Sequence, residues 1–518
     1  MTTRFAPMRR LFADLLAPAA LGALVTLGFA PWNIYPATIA ALIGVLALWR
    51  SVGPGRAAWR GFVFGAAHFG TGLYWVYVAV HDHAGANVVL AGLATGALVV
   101  YLACFPALTG AIAGATNRFA PTLWALVVVP GAWCLAELLR GWAFTGFPWL
   151  SLGYVTIAAP LNGLAPLVGV HGLSLALMIA AGTLWLLYAG TLWARLVALV
   201  LIALLPLLVW SVPSPAHWTR PLHKTLQVAV LQGDIAPANQ WRPALFAPTL
   251  RRYRDMTQRT DAALVVWPEL AMPVSATRVD GDLAPLNAEA TRRGQTVLAG
   301  LFWPTRDHRH LYNSVLALGA DRGRYDKRHL VPFGEIVPGP SWLERLIGGD
   351  DGHAVAGAPA QPLIHAQGTA LGVSIGFEDV FGDEIRRDLP AAQLLVNITN
   401  DGWFAGTTAL AQHLEIARMR ALESGRPLVR AANAGISAMI GFDGRLLHVA
   451  PAGQRARLLG ALVPRAGATP YVAYGNRPLW WASAAVVLLA LLGSGALAWQ
   501  TRRQRRRDDR RRTLRERI

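Results

Sequence analysis

The sequence is poor in charged residues and has almost no cysteine. Of its 518 residues, 15% are charged and only two are cysteines, whereas 54% are hydrophobic. Soluble globular proteins carry about 25% charged residues, so this composition excludes an ordinary soluble enzyme. It also excludes a disordered chain, which requires low hydrophobicity together with high net charge. The composition is typical of a membrane protein to which a soluble part is attached.

The two cysteines, Cys104 and Cys134, both lie in apolar stretches. Their positions exclude a disulfide framework and a cysteine-ligated metal site outside the membrane. The sequence also shows neither a cluster of metal-ligating residues nor a glycine-rich nucleotide-binding loop. We therefore expect no metal and no other cofactor.

Long apolar stretches dominate the part of the chain before residue 213. A transmembrane helix needs about 17–25 predominantly apolar residues, and seven stretches of about that length occur there, with one more near the C-terminus. We therefore expect eight transmembrane helices. The predicted spans are 13–30, 35–49, 58–80, 88–113, 121–139, 163–189, 193–212 and 479–499.

The net charge of +18 is unevenly distributed. The C-terminal tail, 500–518, is rich in arginine and directly follows an apolar stretch, which is typical of a cytoplasmic anchor against anionic lipid rather than of nucleic-acid binding. Arginines also precede the first span and lie in the even-numbered loops, whereas the third loop, 81–87, has neither lysine nor arginine. Arg140, in the fifth loop, is the exception. By the positive-inside rule, both termini are expected in the cytoplasm and residues 213–478 in the periplasm of a bacterial inner membrane.

Residues 213–478 have a different pattern, in which short apolar runs alternate with helical segments. Such runs are typical of strands that are buried on both faces of a sheet, so we expect an α/β domain. A helix is predicted over 409–423, and Gly425 and Pro427 should end it. The segment 342–347 has apolar residues at helical spacing and either enters the membrane interface or packs on the domain. The predicted strands are Leu226–Leu231, Ala263–Trp267, Thr296–Phe302, Leu311–Leu318, Ala370–Ile375 and Leu394–Ile398.

Polar residues follow three of these predicted strands. Glu269 ends the first, Glu378 follows the second, and Asn400 ends the third, while Lys327 and Glu335 lie in a loop between them. The carboxyl ends of parallel strands are the usual place for an active site in an α/β sheet. Each residue alone is more simply a helix cap or a solvated loop residue. Their ordered occurrence favours a catalytic site.

The ordered set resembles the nitrilase, or carbon–nitrogen hydrolase, superfamily, and within it the apolipoprotein N-acyltransferase family. Trp-Pro-Glu at 267–269 is similar to the family's general-base strand end, and residues 327–335 are similar to its lysine loop. The resemblance covers nearly the whole chain, including the spans that a soluble nitrilase lacks. The other matching motifs are 230–235 with Trp241, 400–404, 412–427, 74–78, 140–149 and 469–471.

The resemblance implies an αββα sandwich between the seventh and eighth spans and a reaction in two stages. A cysteine thiolate takes an acyl chain from a phospholipid, and the α-amine of a lipoprotein's diacylglyceryl-cysteine then takes it from the thioester. Glu269 would be the general base, Lys327 would stabilise the oxyanions, Glu335 would orient Lys327 or the amine, and Glu378 would be a further functional glutamate. The residues implied for substrate binding are Trp241, Phe377, Asn400, Trp403 and Trp149.

The sequence departs from the family at the nucleophile, because Gly376 stands where the resemblance implies a cysteine. A glycine has no side chain, so no thioester can form there, and we expect acyl transfer to be impaired or absent. Ser374 lies on the same strand face but one pleat back from the turn, and its hydroxyl is a weaker nucleophile. A homologue that has lost transfer, an engineered form and a sequence error would each give Gly376.

The favoured hypothesis is therefore an acyltransferase that uses a phospholipid donor and a diacylglyceryl-apolipoprotein acceptor. The alternatives are a non-catalytic homologue that binds lipid or lipoprotein and, less favoured, a membrane-tethered amidase. A soluble amide substrate needs no multi-span base, which argues against the amidase. We expect no nucleic-acid partner and favour a monomer.

Overall fold

The fold is described from a computed structural model of the chain. The described residues are 6–212, 214–240, 242–275, 280–336 and 354–515. Trp241 and the segment 342–347 lie outside the described residues, so their predicted roles stay predictions.

The N-terminal half, 6–212, consists of apolar helices that pack on one another; we call it the membrane half because its sequence predicts membrane spans. Each of the seven predicted spans before residue 213 falls on helical residues, preceded by a short turn of helix, Ala6–Leu11. We number eight apolar helices of this half in chain order. They are α1 (Phe12–Thr26), α2 (Tyr35–Arg50), α3 (Pro54–Gly72), α4 (Trp75–His83), α5 (Val88–Ala115), α6 (Pro121–Arg140), α7 (Pro160–Ala189) and α8 (Leu192–Ser211).

Only part of the predicted count of eight spans is confirmed. Among the described residues, four helices are long and apolar enough to cross a membrane, namely α5, α6, α7 and Arg477–Arg507 near the C-terminus. The bent pair α3–α4 makes a fifth if it is one span, whereas α1, α2 and the apolar part of α8 are shorter. A bilayer core of about 30 Å requires about 20 helical residues at 1.5 Å each. α1 and α2 fall below that length, whereas the whole of α8 has 20 residues.

The span predicted over 58–80 falls on a bent pair of helices. α3 ends at Gly72, α4 begins at Trp75, and the two are bent by 50° relative to each other. The side chain of Leu150 packs against Gly72 so closely that a Cβ at residue 72 would lie 2.4 Å from Leu150 Cδ1. The bend turns Trp75 towards the α/β domain, where its indole N–H reaches Gln412.

The α/β domain contains two mixed β-sheets. All six predicted strands are confirmed, as is the helix predicted over 409–423, and Gly425 ends that helix in the left-handed conformation, with φ +61°. The longer helices among the described residues of the domain are α9 (Pro243–Gln258), α10 (Asp280–Arg292) and α11 (Ala409–Ser424). The strands are β1 (Thr219–Pro221), β2 (Leu226–Gln232), β3 (Leu264–Val266), β4 (Met272–Ser275), β5 (Thr296–Pro304), β6 (Leu311–Gly319), β7 (Gly323–Asp326), β8 (Ile364–Ala366), β9 (Thr369–Ile375), β10 (Leu394–Thr399), β11 (Leu428–Ala432), β12 (Ser437–Ile440), β13 (Leu446–Ala450), β14 (Ala456–Leu462) and β15 (Arg465–Gly467).

The first sheet has the order β14-β2-β3-β5-β6-β7, with β4 paired to β5, and the second has the order β13-β12-β11-β10-β9-β8. In the first sheet β2, β3 and β5 are parallel, and in the second β9, β10 and β11 are parallel. Buried residues of both sheets, such as Val230 and Val396, form one core between them. α9 and α10 cover the outer face of the first sheet, and α11 covers the second. The predicted α/β domain is thus confirmed, and its layers are helix, sheet, sheet and helix.

The last helix, α12 (Arg477–Arg515), has 39 residues. It includes the predicted eighth span, 479–499, but it does not end there. The predicted tail from residue 500 continues the same helix through Arg515. At 1.5 Å per residue the helix is about 58 Å long, roughly twice the bilayer core.

The membrane half and the α/β domain share one hydrophobic core. Val380, Phe381, Ile416 and Met419 of the domain are buried in the same cluster as the side chains of the membrane helices. α11 is therefore packed on two sides, against the second sheet and against the membrane half.

Candidate active site

Three strand ends meet at one edge of the sandwich. Glu269 follows β3 of the first sheet, whereas Gly376 and Asn400 directly follow β9 and β10 of the second. The backbone N–H of Asn400 donates to Glu269 Oε2 at 3.0 Å, which joins the two sheets at their carboxyl ends. The predicted meeting of strand ends is thus observed, and the site lies where the polar groups that follow parallel strands converge.

Lys327 lies in contact with both carboxylates that the sequence singled out. Its Nζ donates to Glu269 Oε1 at 3.3 Å and to Glu335 Oε1 at 2.9 Å. Asn313, which the sequence did not indicate, donates from Nδ2 to Glu269 Oε1 at 2.7 Å and to Glu335 Oε1 at 3.0 Å. Glu269, Lys327, Glu335 and Asn313 therefore form one hydrogen-bonded group, and the Lys327 side chain within it is only 2% exposed.

Charge pairing sets the protonation states in this group. Burial disfavours the charged form of Lys327, but the carboxylates of Glu269 and Glu335 outweigh it and raise the pKa of the ammonium above its usual value. Burial of Glu335 is likewise outweighed, because Lys327 lowers the pKa of that carboxyl. At neutral pH Lys327 is therefore a cation that can donate hydrogen bonds to a developing oxyanion, rather than a base.

Gly376 lies directly beside Glu269. Its φ of +53° is in the left-handed region, which favours glycine. A Cβ built on Gly376 would lie 2.8 Å from Glu269 Oε2. A side chain at this position would thus point at the carboxylate, which is the arrangement of a nucleophile and its general base. Ser374, the alternative hydroxyl, instead accepts a hydrogen bond from Asn397 Nδ2 at 3.1 Å within the sheet.

Glu378 holds the turn at residue 376 against the lysine loop, 327–335. Its carboxylate accepts hydrogen bonds from the backbone N–H groups of Ile375 at 2.7 Å, Arg328 at 2.5 Å and His329 at 3.1 Å, and from Tyr325 Oη at 2.9 Å. Burial raises the pKa of Glu378 to about 7 even though these donors favour the carboxylate. This geometry makes Glu378 a positioning residue between two segments of the site.

Phe377 and Trp149 are brought together by the junction of the two halves. Their rings are nearly parallel, at 11° with centroids 6.4 Å apart, and Phe377 also contacts Phe147 and Phe381. Trp149 comes from the connection between α6 and α7, where Arg140 donates to its carbonyl oxygen at 2.6 Å. An aromatic wall supplied by the membrane half therefore lies next to the turn at residue 376.

Asn400 and Trp403, which are also predicted to bind substrate, do not join the rings of Phe377 and Trp149. The side chain of Asn400 donates to Gln240 Oε1 at 2.7 Å, so only its backbone N–H contacts Glu269. The half-buried ring of Trp403 lies 6.2 Å from His83 at the end of α4, in an edge-on contact. Trp403 thus packs at the junction between the halves.

A buried charged network behind Gly376 was missed by the sequence reasoning. His413 bonds Asp379 through Nε2 at 2.8 Å and Asp401 through Nδ1 at 2.9 Å. Arg430 pairs with Asp401 at 2.6 Å and with Asp379 at 3.3 Å. Arg430 also donates at 2.6 Å to Asn397, its register partner on β10. Asp401 and His413 lie in the matched motifs. No sequence pattern indicates Arg430, because only the pairing of β10 and β11 brings it to the network.

The network predicts a pH dependence of stability. Burial and Arg430 lower the pKa of His413, but Asp379 and Asp401 outweigh them and raise it to about 9 from 6.5. Because the folded-state pKa lies above the unfolded one, the stabilisation is fully present below about pH 6.5 and is lost as pH rises through about 9. It is on the order of 3 kcal/mol.

We expect the unfolding temperature in detergent to fall between about pH 6.5 and 9.5. The control is His413→Gln. Its unfolding temperature should be lower than that of the parent at about pH 6.5, and this difference should become smaller as the pH rises to about 9.5. A difference in unfolding temperature that stays constant with pH would contradict a protonated histidine in this network.

Comparison with known families divides the chain as the structure does. The family described as apolipoprotein N-acyltransferase N-terminal domain matches residues 21–183, and the family described as carbon-nitrogen hydrolase matches residues 227–471. The first match covers most of the membrane helices, and the second covers the two sheets.

Relatives match over nearly their whole length. The chain is 39% identical to the apolipoprotein N-acyltransferase of Methylococcus capsulatus over 88% of this chain and 92% of the relative. It is also 39% identical to that of Nitrosomonas europaea, over 93% and 97%. Among solved structures, a CN-hydrolase superfamily protein from Xanthomonas campestris covers 49% of this chain and 95% of its own, with 17% identity and a TM-score of 0.36.

Proposed function

Because the chain belongs to the apolipoprotein N-acyltransferase family, an acyltransferase family of the carbon–nitrogen hydrolases, we propose that its active site is built for the N-acylation of lipoproteins. The acyl donor would be a phospholipid, and the acceptor would be the α-amine of a diacylglyceryl-modified N-terminal cysteine. One observation carries this proposal. Glu269 contacts Lys327, and a Cβ at residue 376 would point at the Glu269 carboxylate.

The geometry supports a two-stage reaction when residue 376 is a cysteine. Glu269 would take the thiol proton, and the thiolate would attack the phospholipid ester carbon. Lys327 would donate a hydrogen bond to the oxyanion, and the lysophospholipid alkoxide would leave with the proton from Glu269. The lipoprotein amine would then attack the thioester, losing its proton to Glu269 as the thiolate departs, and an amide would remain.

In this chain Gly376 removes the group that carries the acyl chain. Donor and acceptor would then have to meet in one encounter, so we propose that transfer is strongly impaired. Gly376 is also the specific observation that favours the second candidate function, a non-catalytic homologue that binds lipid or lipoprotein. The membrane-tethered amidase is less favoured, because an enzyme with a soluble amide substrate does not need a base of several membrane helices.

The test of the proposed function uses the Gly376→Cys form in detergent with a phospholipid of one acyl-chain length and a diacylglyceryl peptide. We expect mass spectrometry to show the peptide heavier by one acyl chain on its α-amine. A peptide whose amine is blocked by acetylation is the control for the site of transfer. If the folded variant binds both compounds and transfers nothing, the non-catalytic function is supported instead.

We also propose that the chain crosses the inner membrane eight times, with both termini in the cytoplasm and the α/β domain in the periplasm. The crossings are α1, α2, the bent pair α3–α4, α5, α6, α7, α8 and α12. The shorter helices α1 and α2 can cross if the bilayer thins locally or flanking residues extend to its surface. The arginine-rich end of α12 supports a cytoplasmic C-terminus.

Single cysteines in the full chain test this topology, in a background with Cys104→Ala and Cys134→Ala. We expect a membrane-impermeant maleimide added outside to label Asn33→Cys and Ser214→Cys. It should not label Ser51→Cys or Thr501→Cys until the membrane is opened. Equal labelling of Asn33→Cys and Ser51→Cys in intact cells would show that α2 does not cross.

A further inference from the structure

Gln412 is a buried residue of α11 whose side-chain amide reaches the membrane half. Its Oε1 accepts hydrogen bonds from Trp149 Nε1 at 2.8 Å and from Trp75 Nε1 at 3.2 Å. Its Nε2 donates to the carbonyl of Gly72 and to the hydroxyl of Thr408, each at 3.3 Å. Buried indole N–H groups require an acceptor. Gln412 is the acceptor of the Trp149 indole, whereas the Trp75 indole is shared between Gln412 and the carbonyl of Gly72, at 3.1 Å. One amide oxygen therefore links two tryptophans that belong to different segments and fixes chiefly the orientation of Trp149.

Trp149, the tryptophan bonded most closely to Gln412, contacts Phe377, the residue that follows position 376. The Trp149 ring is nearly parallel to that of Phe377, and its centroid is 5.1 Å from Trp75 and 5.2 Å from His413. A buried ring with several ring neighbours has little freedom to rotate. The orientation of Trp149 thus limits the positions that Phe377, and with it the turn, can adopt.

The next residue of the same helix, His413, supports the turn from its other side. It belongs to the buried network in which Arg430 holds Asn397 at 2.6 Å, and Asn397 Nδ2 in turn donates to the carbonyl of Gly376 at 3.4 Å. Two consecutive residues of α11 therefore support the turn. His413 belongs to the network that reaches the Gly376 carbonyl through Asn397, and Gln412 acts through the ring of Trp149.

We propose that Gln412 is a positioning residue for acyl transfer, which holds Trp75 and Trp149 so that residue 376 stays aligned with Glu269. This inference rests on the proposed function. Gln412 acts through the rings, so its loss should lower the rate of the chemical step more than the affinity for phospholipid. A displacement of about 1 Å at a reacting group can lower a rate by about 10²-fold.

The experiment compares glutamine variants in the Gly376→Cys background. Gln412→Leu removes the acceptor, Gln412→Glu keeps an oxygen for both indoles, and Gln295→Leu is the matched control. Gln295 is equally buried, and its amide donates to the carbonyls of Thr260 and Ala262 at 2.8 and 2.9 Å, before β3.

We expect Gln412→Leu to lower the rate of thioester formation at saturating phospholipid by about 10- to 100-fold, with KM changed by less than about threefold. Gln412→Glu should keep the rate within about threefold, and Gln295→Leu should keep it even if its unfolding temperature falls. Equal rates for Gln412→Leu and Gln295→Leu would overturn the proposal, as would a change in KM alone.

A second variant covers the case in which Gln412→Leu does not fold. Trp149→Phe keeps an aromatic ring but lacks the indole N–H, so it should lower the rate in the same way. Where both fold, the double variant should be no slower than the slower single variant, because both remove the same hydrogen bond. Effects that multiply would show that Gln412 and Trp149 act independently.

A readout without phospholipid separates this inference from the proposed function. The thiol introduced by Gly376→Cys can be alkylated with iodoacetamide and followed by peptide mass. We expect Gln412→Leu to change that rate by about fivefold or more relative to Gln295→Leu. If no thioester forms in any variant but alkylation differs as expected, the acyltransferase function fails and the positioning role stands. Identical alkylation rates would refute the positioning role.

Discussion

The Gly376→Cys variant is expected to form a thioester with a phospholipid acyl chain, whereas the parent chain should form none. Removal of the nucleophile from an enzyme with a covalent intermediate lowers kcat by about 10⁴–10⁶-fold, and restoring it should raise the rate by that order. The physical reason is the direction of the missing side chain, since a Cβ at residue 376 would lie 2.8 Å from Glu269 Oε2. The base, the cation and the turn are already assembled around that position.

The same substitution should destabilise the fold modestly. A non-glycine residue at φ +53° costs about 1–3 kcal/mol, and the Glu269 carboxylate must shift by a few tenths of an ångström. That carboxylate is the end of a flexible side chain, so the shift is easily accommodated. The matched control is Gly376→Ala, which carries the same backbone strain without a thiol. It should share the loss of stability and form no thioester.

The measurement is the intact mass of each variant after incubation with a phospholipid of one chain length. An increment of one acyl chain that hydroxylamine removes identifies a thioester. A hydroxylamine-sensitive adduct on the parent would contradict the assignment of residue 376 as the nucleophile position. A folded Gly376→Cys variant that stays unmodified would do the same.

Lys327→Met, made in the Gly376→Cys background, is expected to lose nearly all activity and much stability. Lys327 lies between Glu269 Oε1 at 3.3 Å and Glu335 Oε1 at 2.9 Å. Removing one partner of a buried ion pair costs about 3–5 kcal/mol because the remaining charges are left unpaired. Loss of an oxyanion donor lowers kcat by about 10²–10³-fold. Only the amide of Asn313 would then bridge the two carboxylates.

Lys224→Met is the control for Lys327→Met, because the sequence has only these two lysines and Lys224 is exposed. The rate of thioester formation and the unfolding temperature should both fall for Lys327→Met and stay unchanged for Lys224→Met. If Lys327→Met kept the parent rate, the oxyanion role of Lys327 would be ruled out.

The strands and the meeting of their ends could be predicted because they depend on local patterns. Strands such as β9 and β10 are apolar on both faces, and parallel strands of this kind present their carboxyl ends at one edge. That rule alone predicts that Glu269 and Asn400 lie at the same edge. The pairing of Lys327 with Glu269 followed from the resemblance rather than from the pattern.

The contacts that complete the site could not be predicted because they join distant segments. Trp75 and Gln412 are separated by 337 residues, and no periodicity links them. Asn313 lies within a strand, β6, where an inward polar side chain has no sequence signal of its own. At the bend after Gly72, the contact is with the side chain of Leu150, which belongs to another segment. The role of Trp241 stays a prediction.

The common core of the two halves has a consequence for how this protein can be dissected. Val380, Phe381, Ile416 and Met419 are covered by membrane helices, so a fragment cut at residue 213 would expose them to water. Such a fragment should aggregate rather than behave as a free hydrolase. Residue 213 therefore separates two sequence families but not two independently folding pieces. An extracted catalytic fragment would need its apolar face redesigned before it could stay in solution.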